Sequence, residues 1–451
     1  MSGPTMTRLR DLGRWSGGNT PSKANIEYWT NGTVPWVSPK DMKFDEITRS
    51  EDLISQSALA EGRVSLLPTG SVLIVTRSGI LSHTLPVAVT KLPVTINQDI
   101  KALTLNTGVS AKYVAHALRG SSQRILRQCA KHGTTVASVD TNALLDFEIP
   151  MVGFNEQEAV VAELEKQFSR LDEAVANLLR VKANLKRYKA SVLKAAVEGG
   201  LVETEATLAR REGRTYETGE QLLQRILEER RAKWQGRGKW KAAESPTADT
   251  ALPDGWTWAS VDQLAEVGTG ATPKRDKAAY WNGGDVPWVT SSVVNGDYVD
   301  KASEFVTKLA LAETNLSLYP IGTLLIAMYG EGKTRGKCTE LRISASTNQA
   351  LAALQVDSSI RGYLRHFLEL NYEEMRKFAS GGVQPNLNLS LVRAVCVPLP
   401  PLSEQVRIAA EVDRHLSIIR EVETEVGANL KRAQALRQAT LQSAFNPTEV
   451  A

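Results

Sequence analysis

The chain has 451 residues, a formal net charge of +4 and 42% hydrophobic residues, which predicts two or three globular domains and permits a polyanionic partner without requiring one. Its three cysteines (Cys129, Cys338 and Cys396) lie far apart, which excludes a zinc ribbon or a disulfide framework and is typical of a reducing cytoplasm. The cysteine spacing also leads us to expect no metal site. We find no apolar run long enough to span a membrane and no export signal, so we expect a cytoplasmic protein with no membrane contact.

One long unit occurs twice in the sequence. The phrase YWTNGTVPWV begins at Tyr28, and YWNGGDVPWV begins at Tyr280, 252 positions later. The Thr-Pro pair upstream keeps the same interval, from Thr20 to Thr272. A run of matches over this length predicts a duplicated domain rather than the short module of a solenoid.

Each copy is predicted to mix strands and helices in the same order. The predicted elements are a turn and buried strand at 66–75 and 318–327, an amphipathic helix at 112–129 and 362–378, a polar loop from Gly133 and from Gly381, and a closing strand that ends at Pro150 and at Pro398. Strands and helices interspersed in this way favour an α+β fold for each copy.

A long helix is predicted after each closing strand, at 156–197 and 404–445. Apolar residues recur there every three or four positions, a spacing typical of a coiled coil, although the polar Lys182 interrupts the first series. Gly199 and Pro447 provide stop signals. We expect the helices to pair antiparallel with pseudo-twofold symmetry; the alternative is two unrelated helices, each packed on its own domain.

These elements divide the chain into five predicted parts. They are a first domain (1–153), a first long helix (154–200), an inter-repeat region (201–252), a second domain (253–402) and a second long helix (403–447). An amphipathic helix is predicted at 219–234 of the inter-repeat region, and a flexible linker at 236–250.

The phrase AMYGEGKT at 327–334 is the strongest hint of a catalytic site. Ala327 stands where a phosphate-binding loop needs its first glycine, and the residues after Thr334 alternate like a strand instead of opening a helix. We therefore interpret the phrase as a basic loop that approaches a polyanion. The sequence also carries no methyltransferase or nuclease motif, so we expect no catalytic residue.

The matching loop of the first copy carries Arg77 and Ser78 after its strand. Such side chains can contact phosphates or base edges, whereas the simpler interpretation is a solvated loop. The aromatic residues of the repeated phrases, such as Trp36 and Trp288, are predicted to pack on the core rather than to stack on bases.

This organisation resembles the specificity (S) subunit of Type I restriction–modification systems. The resemblance covers nearly the whole chain and depends on the order of its motifs: the TP…YW…VPWV phrases, the closing IP or LP strands, and the helices that begin with EQ. It also includes SVLKAAVEGGL at Ser191 and ATLQSAF at Ala439. VEGGL departs from the family, which more often has an aromatic residue before the glycine.

The resemblance implies that each domain is a target recognition domain that reads one half of a bipartite DNA sequence. The long helices would set the spacing between the halves and dock two methyltransferase subunits, which methylate adenine. Two motor–nuclease subunits would complete a system that defends against foreign DNA. No cofactor is expected in this chain, because S-adenosylmethionine, ATP and Mg would be bound by the partner subunits.

Two other functions stay open at this point: the recognition part of a fused methyltransferase–nuclease, and a coiled-coil scaffold that does not bind DNA. The candidate DNA-binding residues share positions on polar loops or beside the repeated phrases. They are Lys23, Ser38, Lys40, Arg77, Ser78, Thr134, Thr135, Lys274, Arg275, Thr290, Ser291, Tyr329, Lys333, Thr334, Arg335, Lys337, Gln384 and Asn386.

Overall fold

The computed structural model describes residues 3–131, 136–234, 242–243, 245–246, 248, 250–329, 334–372, 375–376 and 386–445. The chain forms two compact units, one of Met1–Val181 with Glu425–Ala451 and the other of Lys182–Thr424. Each unit contains one copy of the repeat and a portion of both long helices. None of the described helices has the length and apolar character that crossing a membrane would require.

In the first copy, the described strands are β1 (Thr5–Arg8), β2 (Gly13–Gly17), β3 (Val34–Val37), β4 (Glu46–Ile47), β5 (Asp52–Ile54), β6 (Val72–Val75), β7 (Val87–Thr90), β8 (Thr95–Ile96), β9 (Ile100–Leu105) and β10 (Glu148–Met151). Its α-helices are α1 (Gln56–Ala60), α2 (Ala111–Gly120), α3 (Ser122–Gln128) and α4 (Thr141–Asp146). The first long helix, α5, is Phe154–Val197, and the inter-repeat region contains α6 (Glu205–Glu212) and α7 (Gly219–Ala232).

The described strands of the second copy are β11 (Thr257–Ser260), β12 (Ala265–Thr269), β13 (Val286–Val289), β14 (Tyr298–Val299), β15 (Glu304–Val306), β16 (Leu324–Ala327), β17 (Cys338–Leu341), β18 (Ser346–Thr347), β19 (Leu351–Val356) and β20 (Cys396–Leu399). Its α-helices are α8 (Val261–Leu264), α9 (Lys308–Glu313), α10 (Ser358–Leu370) and α11 (Leu389–Arg393), and the second long helix, α12, is Leu402–Phe445.

The two copies have the same sheet topology. A five-stranded sheet has the order β2-β9-β6-β7-β4 in the first copy and β12-β19-β16-β17-β14 in the second. A three-stranded sheet (β5-β3-β8, then β15-β13-β18) and a two-stranded antiparallel sheet (β1-β10, then β11-β20) follow the same rule. Strand pairing that matches throughout confirms the duplication, and the mixed sheets with helices confirm the α+β class.

The central strand of each large sheet forms for local reasons. β6 and β16 are apolar at every position, and all of their side chains are buried. The turn before each strand contains a glycine with a left-handed backbone, Gly70 with φ 85° and Gly322 with φ 88°. Glycine adopts this conformation without the steric cost that a Cβ would add. The predicted turns and buried strands are therefore confirmed in both copies.

The predicted single helix at 112–129 was wrong at its middle, since it is broken at Ser121 between α2 and α3. Gly120, the last residue of α2, lies beside this break and packs closely on the second long helix: a Cβ added to Gly120 would lie 2.9 Å from the carbonyl oxygen of Leu441. In the second copy the helix begins at Ser358, earlier than predicted, because Asp357 caps it by accepting a hydrogen bond from the Ser359 backbone N–H at 2.9 Å. Its predicted end, Phe378, lies outside the described residues.

The long helices have 44 residues each and begin two residues before the predicted positions. In the first unit Asp172 pairs with Arg437 at 2.7 Å, and in the second unit the Tyr188 hydroxyl lies 2.8 Å from His415 Nδ1. The residue numbers rise along α5 while those of their partners on α12 fall. The helices are therefore antiparallel, as predicted.

The glutamine of each repeated Glu-Gln pair attaches the start of a long helix to the strand before it. The side chain of Gln157 is buried, donates to the Val152 carbonyl at 2.8 Å and accepts from the Ser110 backbone N–H at 2.9 Å. Gln405 is also buried and donates to the Pro400 carbonyl at 2.8 Å. The pair thus fixes how each helix leaves its domain.

The inter-repeat region contains a helix, α6, that we did not predict. Thr204 caps its start, and Gly213 ends it with a left-handed backbone at φ 66°. The predicted helix at 219–234 is confirmed as α7. Most of the predicted linker at 236–250 lies outside the described residues.

Candidate nucleic-acid interface

The repeated aromatic phrases form the same packed corner in each copy. Trp36 and Trp288 are buried, and each meets the preceding tryptophan edge to face with ring centroids 5.2 Å apart. Their indole N–H groups donate to the carbonyls of Asn19 at 3.0 Å and Ala271 at 3.1 Å. These contacts tie the Thr-Pro segment to the sheet, so the prediction that the tryptophans are structural is confirmed.

A basic residue among the predicted DNA-binding candidates lies over this aromatic corner in each copy. The Lys23 ammonium is 5.9 Å from the Trp29 ring, and the Arg275 guanidinium is 3.9 Å from the Trp281 ring. Arg275 also pairs with Glu304 at 2.5 Å. Both cations are exposed, so each contact with a ring contributes roughly 0.5–1 kcal/mol, which leaves room for a competing phosphate.

The structure brings three predicted loops of the first copy together. A cavity of about 370 Å³ is lined by Pro39 of the turn after β3, by Arg77 and Ser78 of the loop after β6, and by Val136 of the predicted polar loop. Arg77 is exposed, while its backbone N–H donates to the Asp99 carbonyl at 3.2 Å. Thr134 and Thr135, from the same polar loop, lie outside the described residues.

Two candidates on the turn after β3 are engaged within the fold. Ser38 is 7% exposed, and its hydroxyl and backbone N–H both donate to the Asp41 carboxylate, at 3.2 and 2.8 Å. The Lys40 ammonium lies 3.0 Å from both Asp52 and Glu51, and its hydrogen bonds to these two carboxylates raise the pKa of Lys40. Burial argues against Ser38 as a direct contact, whereas Lys40 remains accessible.

In the second copy the basic loop lies beside the turn that follows β13. Lys337 donates to the Asn295 side-chain carbonyl at 3.1 Å, and Asn295 ends the turn Ser291–Asn295, which Thr290 begins. Thr290 and Ser291 are half-buried, and the Thr290 hydroxyl lies 3.0 Å from that of Ser292. This pairing of loops repeats the arrangement around Arg77.

Two further candidates of the second copy, Tyr329 and Asn386, lie at the end of β16. Tyr329 is 39% exposed, and a hydrogen bond from the Leu387 N–H to the Met328 carbonyl at 3.0 Å brings Asn386 to this end of the strand. Lys333 and Gln384 lie outside the described residues. Lys274 is exposed, and Thr334 and Arg335 are half-buried.

After the basic loop the chain continues into strand β17, not into a helix. A phosphate-binding loop must open a helix, because the helix N-terminus is what holds the phosphate. The strand predicted after Thr334 is therefore confirmed, and this strand is what argued against a phosphate-binding loop at 327–334. Among the described residues, His, Cys, Asp and Glu side chains form no cluster of three or more that could hold a metal ion.

Sequence reasoning missed a pair of exposed glutamines at this end of the sheets. The Thr20 hydroxyl donates to the Gln98 side-chain carbonyl at 2.5 Å, and Thr272 makes the same bond to Gln349 at 2.6 Å. Both glutamines are exposed, and Gln98 lines the cavity with Arg77. The Asn-Gln dipeptide that recurs after 251 positions was the available signal.

The framework is shared, but the side chains at matching loop positions differ. At an interval of 252, Arg77 corresponds to Tyr329, and Lys40 corresponds to Ser292. The shared tryptophans and Thr–Gln pairs hold the loops in the same place, and the differing residues present different donors and acceptors from them. Two surfaces of one architecture thus carry distinct chemistry.

Comparison with known proteins gives a consistent result. The model of the Type I restriction modification DNA specificity domain matches residues 1–179 and 253–432. The chain is 43% identical over 158 residues to the Type I restriction enzyme EcoR124I/EcoR124II specificity subunit of Escherichia coli, which covers 35% of this chain and 39% of that protein. It is 22% identical over 403 residues to the MjaIX specificity subunit of Methanocaldococcus jannaschii, covering 87% and 82%.

Solved structures share the fold. A chain from a study of complex assembly and conformational transition of the type I R-M system superposes with a TM-score of 0.67 at 19% identity, covering 98% of this chain and 97% of that one. The HsdS subunit from Thermoanaerobacter tengcongensis superposes with a TM-score of 0.53 at 17% identity, covering 98% and 96%.

Proposed function

Because the chain belongs to the family of type I restriction modification DNA specificity proteins, we propose that it is the DNA-recognition subunit of such a complex. Each repeat reads one half of a bipartite target in double-stranded DNA. The chain itself is non-catalytic and directs the enzymes bound to it.

One observation carries this proposal: the two copies place different polar side chains on the same framework. If the chain were a scaffold, we would expect matching surfaces to bind matching partners. Two different half-sites instead require different donors and acceptors at equivalent loops, because each base pair presents its own pattern in the major groove. Arg77 and Tyr329, at corresponding loop positions, differ in this way.

The candidate contacts divide by their environment. Arg77 is an exposed cation and Lys337 a half-buried one, and both lie on loops, so they are suited to phosphates or to guanine edges. Lys40 and Arg275 already pair with carboxylates, which favours a role in positioning the DNA backbone. Gln98 and Gln349 are common to both copies, so we expect them to contact features that both half-sites share.

The long helices provide both spacing and docking. A helix of 44 residues is about 66 Å long, and it carries a continuous chain from one compact unit into the other. We propose that two methyltransferase subunits bind along these helices and that two motor–nuclease subunits join them in the cleaving complex. S-adenosylmethionine, ATP and Mg are bound by those partners.

The test is reconstitution. The isolated chain, incubated with labelled S-adenosylmethionine and host DNA, should transfer no methyl group. Together with its modification partner it should methylate adenine, and mapping the methylated positions should give two short sequences separated by an unspecified gap. Turnover by the isolated chain, or methylation without a bipartite pattern, would contradict the proposal.

A further inference from the structure

A groove in the second unit carries an excess of positive charge. It has a volume of about 690 Å³, and its walls come from α5, the turn after β13, β17 and α10. Five basic side chains line it, among them Lys186, Lys189 and Lys337, against two acidic ones, Asp297 and Glu369. The lining therefore has three more basic than acidic groups.

The acidic side chains of the groove are both paired. Asp297 accepts from Arg420 at 2.8 Å, and Glu369 pairs with Lys189 at 2.6 Å. The charge of Lys186 is not used in this way, since within the described part of the chain Lys186 forms no ion pair and its side chain is exposed on α5. The groove thus retains cations that a polyanion can neutralise.

The first unit has a matching groove with a smaller excess of positive charge. It has a volume of about 420 Å³, and it includes Asp45, Arg437 and Gln434, which correspond to Asp297, Lys189 and Lys186 at intervals of 252, 248 and 248. Three basic side chains, Lys43, Arg119 and Arg437, line it against the acidic Asp45. His116 adds no charge near neutral pH, because burial lowers its pKa to about 4. Glutamine therefore stands where the second unit has Lys186, so the lysine on the helix wall is particular to the second unit.

The groove is continuous with the candidate interface. Lys337 belongs to the basic loop and lines the groove, and its partner Asn295 lines it as well. A DNA backbone held at this loop would meet the wall formed by α5 next. Lysine is suited to phosphate as a compact cation and carries no base preference.

We propose that this groove is a second, sequence-independent binding site for the DNA phosphate backbone, in which Lys186 makes α5 a DNA-contacting element. The inference rests on the proposed function of the chain. It adds that the long helix is not only a spacer, because the face of α5 that carries Lys186 takes part in binding in the second unit.

The experiment is a salt titration of the assembled complex. The chain with its methyltransferase partners is titrated against a fluorescein-labelled duplex of random sequence over a series of KCl concentrations. Each lost phosphate contact reduces the slope of log K against log salt by about 0.9, which corresponds to an affinity loss of about eightfold at ~0.1 M salt. Lys186→Glu should show this loss and Lys186→Arg should not.

Lys194→Glu is the matched control, because Lys194 lies on the same helix, is exposed and does not line the groove. If wild-type complex fails to bind the duplex at low salt, the proposed function itself is wrong. If it binds and Lys186→Glu matches the control, the groove inference is wrong. The inference is also overturned if Lys186→Glu weakens assembly with the methyltransferase while the complexes that form bind DNA normally, since the groove would then be a protein interface.

Discussion

Replacing Glu205 by Gln should destabilise the second unit strongly for so small a change. Glu205 is 2% exposed and lies between Arg214 at 2.6 Å and Arg407 at 2.7 Å, which joins α6 to the start of α12. Burial opposes its charge, but the hydrogen bonds from Arg407 and Arg214 prevail and lower its pKa. Its backbone N–H also donates to the buried carboxylate of Glu404 at 2.8 Å.

Removing one partner from a fully buried ion pair costs about 3–5 kcal/mol. Both arginines here are partly exposed, so water can solvate them after the change, and we expect a cost of about 2–3 kcal/mol. For a unit of this size that corresponds to a fall in unfolding temperature of roughly 4–12 °C. Because the folded pKa is lowered, this stability is present at neutral pH and is lost as the pH falls below about 4.5.

Scanning calorimetry of wild-type and variant chains at neutral pH and at pH ~3.5 measures both effects. Glu203→Gln is the control, because Glu203 pairs with Arg211 at 2.8 Å but both side chains are exposed. An exposed pair contributes at most about 1 kcal/mol. Equal losses for the two variants, or a Glu205→Gln loss that persists unchanged in acid, would refute the reasoning.

Three further predictions concern recognition, pH and spacing. If Arg77 or Lys337 reads a base, replacing it by Ala should cost about 1–3 kcal/mol of binding free energy at one position of one half-site. If it touches phosphate, the replacement should weaken binding to every DNA sequence and lower the slope of log K against log salt by about one. Unchanged affinity across a salt series would remove both loops from the interface. Burial is the main reason why the pKa of His116 is lowered to about 4. About 3 kcal/mol of unfolding free energy should therefore be present above pH ~6.5 and lost as the pH falls towards ~4. The unfolding free energy of His116→Phe, measured by denaturation, should depend less on pH than that of wild type. Four residues inserted after Leu178 add ~6 Å to α5, so methylation mapping should find the same two half sequences with a longer gap; an unchanged gap at full affinity would show that the helices do not set the spacing.

Much of the architecture could be predicted because the two copies of the repeat can be aligned with each other. The 252-residue interval identified equivalent strands, such as β6 and β16, before any contact was known. The long helices were predictable because an apolar repeat of 3.5 to 3.6 residues persists over more than forty positions. The helical repeat is a local pattern, and the interval comes from comparing the chain with itself, so neither signal needs information about distant contacts.

The rest depended on contacts that local sequence does not encode. The break between α2 and α3 lies beside Gly120, which packs against Leu441, a residue more than 300 positions away in the sequence. Ser38 was a reasonable candidate by residue type, but its bonds to Asp41 occupy it within the fold. The basic groove escaped prediction because Lys186 and Lys337 meet only through the tertiary fold.

The first compact unit is built from both ends of the chain, and this has a consequence for synthesis. Val161, Leu164 and Phe168 bury their side chains in a core that also needs Leu441 and Phe445. On a ribosome moving at ~5–20 residues per second, the second pair emerges roughly 14–57 s after the first three. The second unit is one continuous segment, 182–424, and meets no such delay. The domain translated first therefore completes its core last, and its apolar helix face is the surface that a nascent chain must keep from aggregation meanwhile.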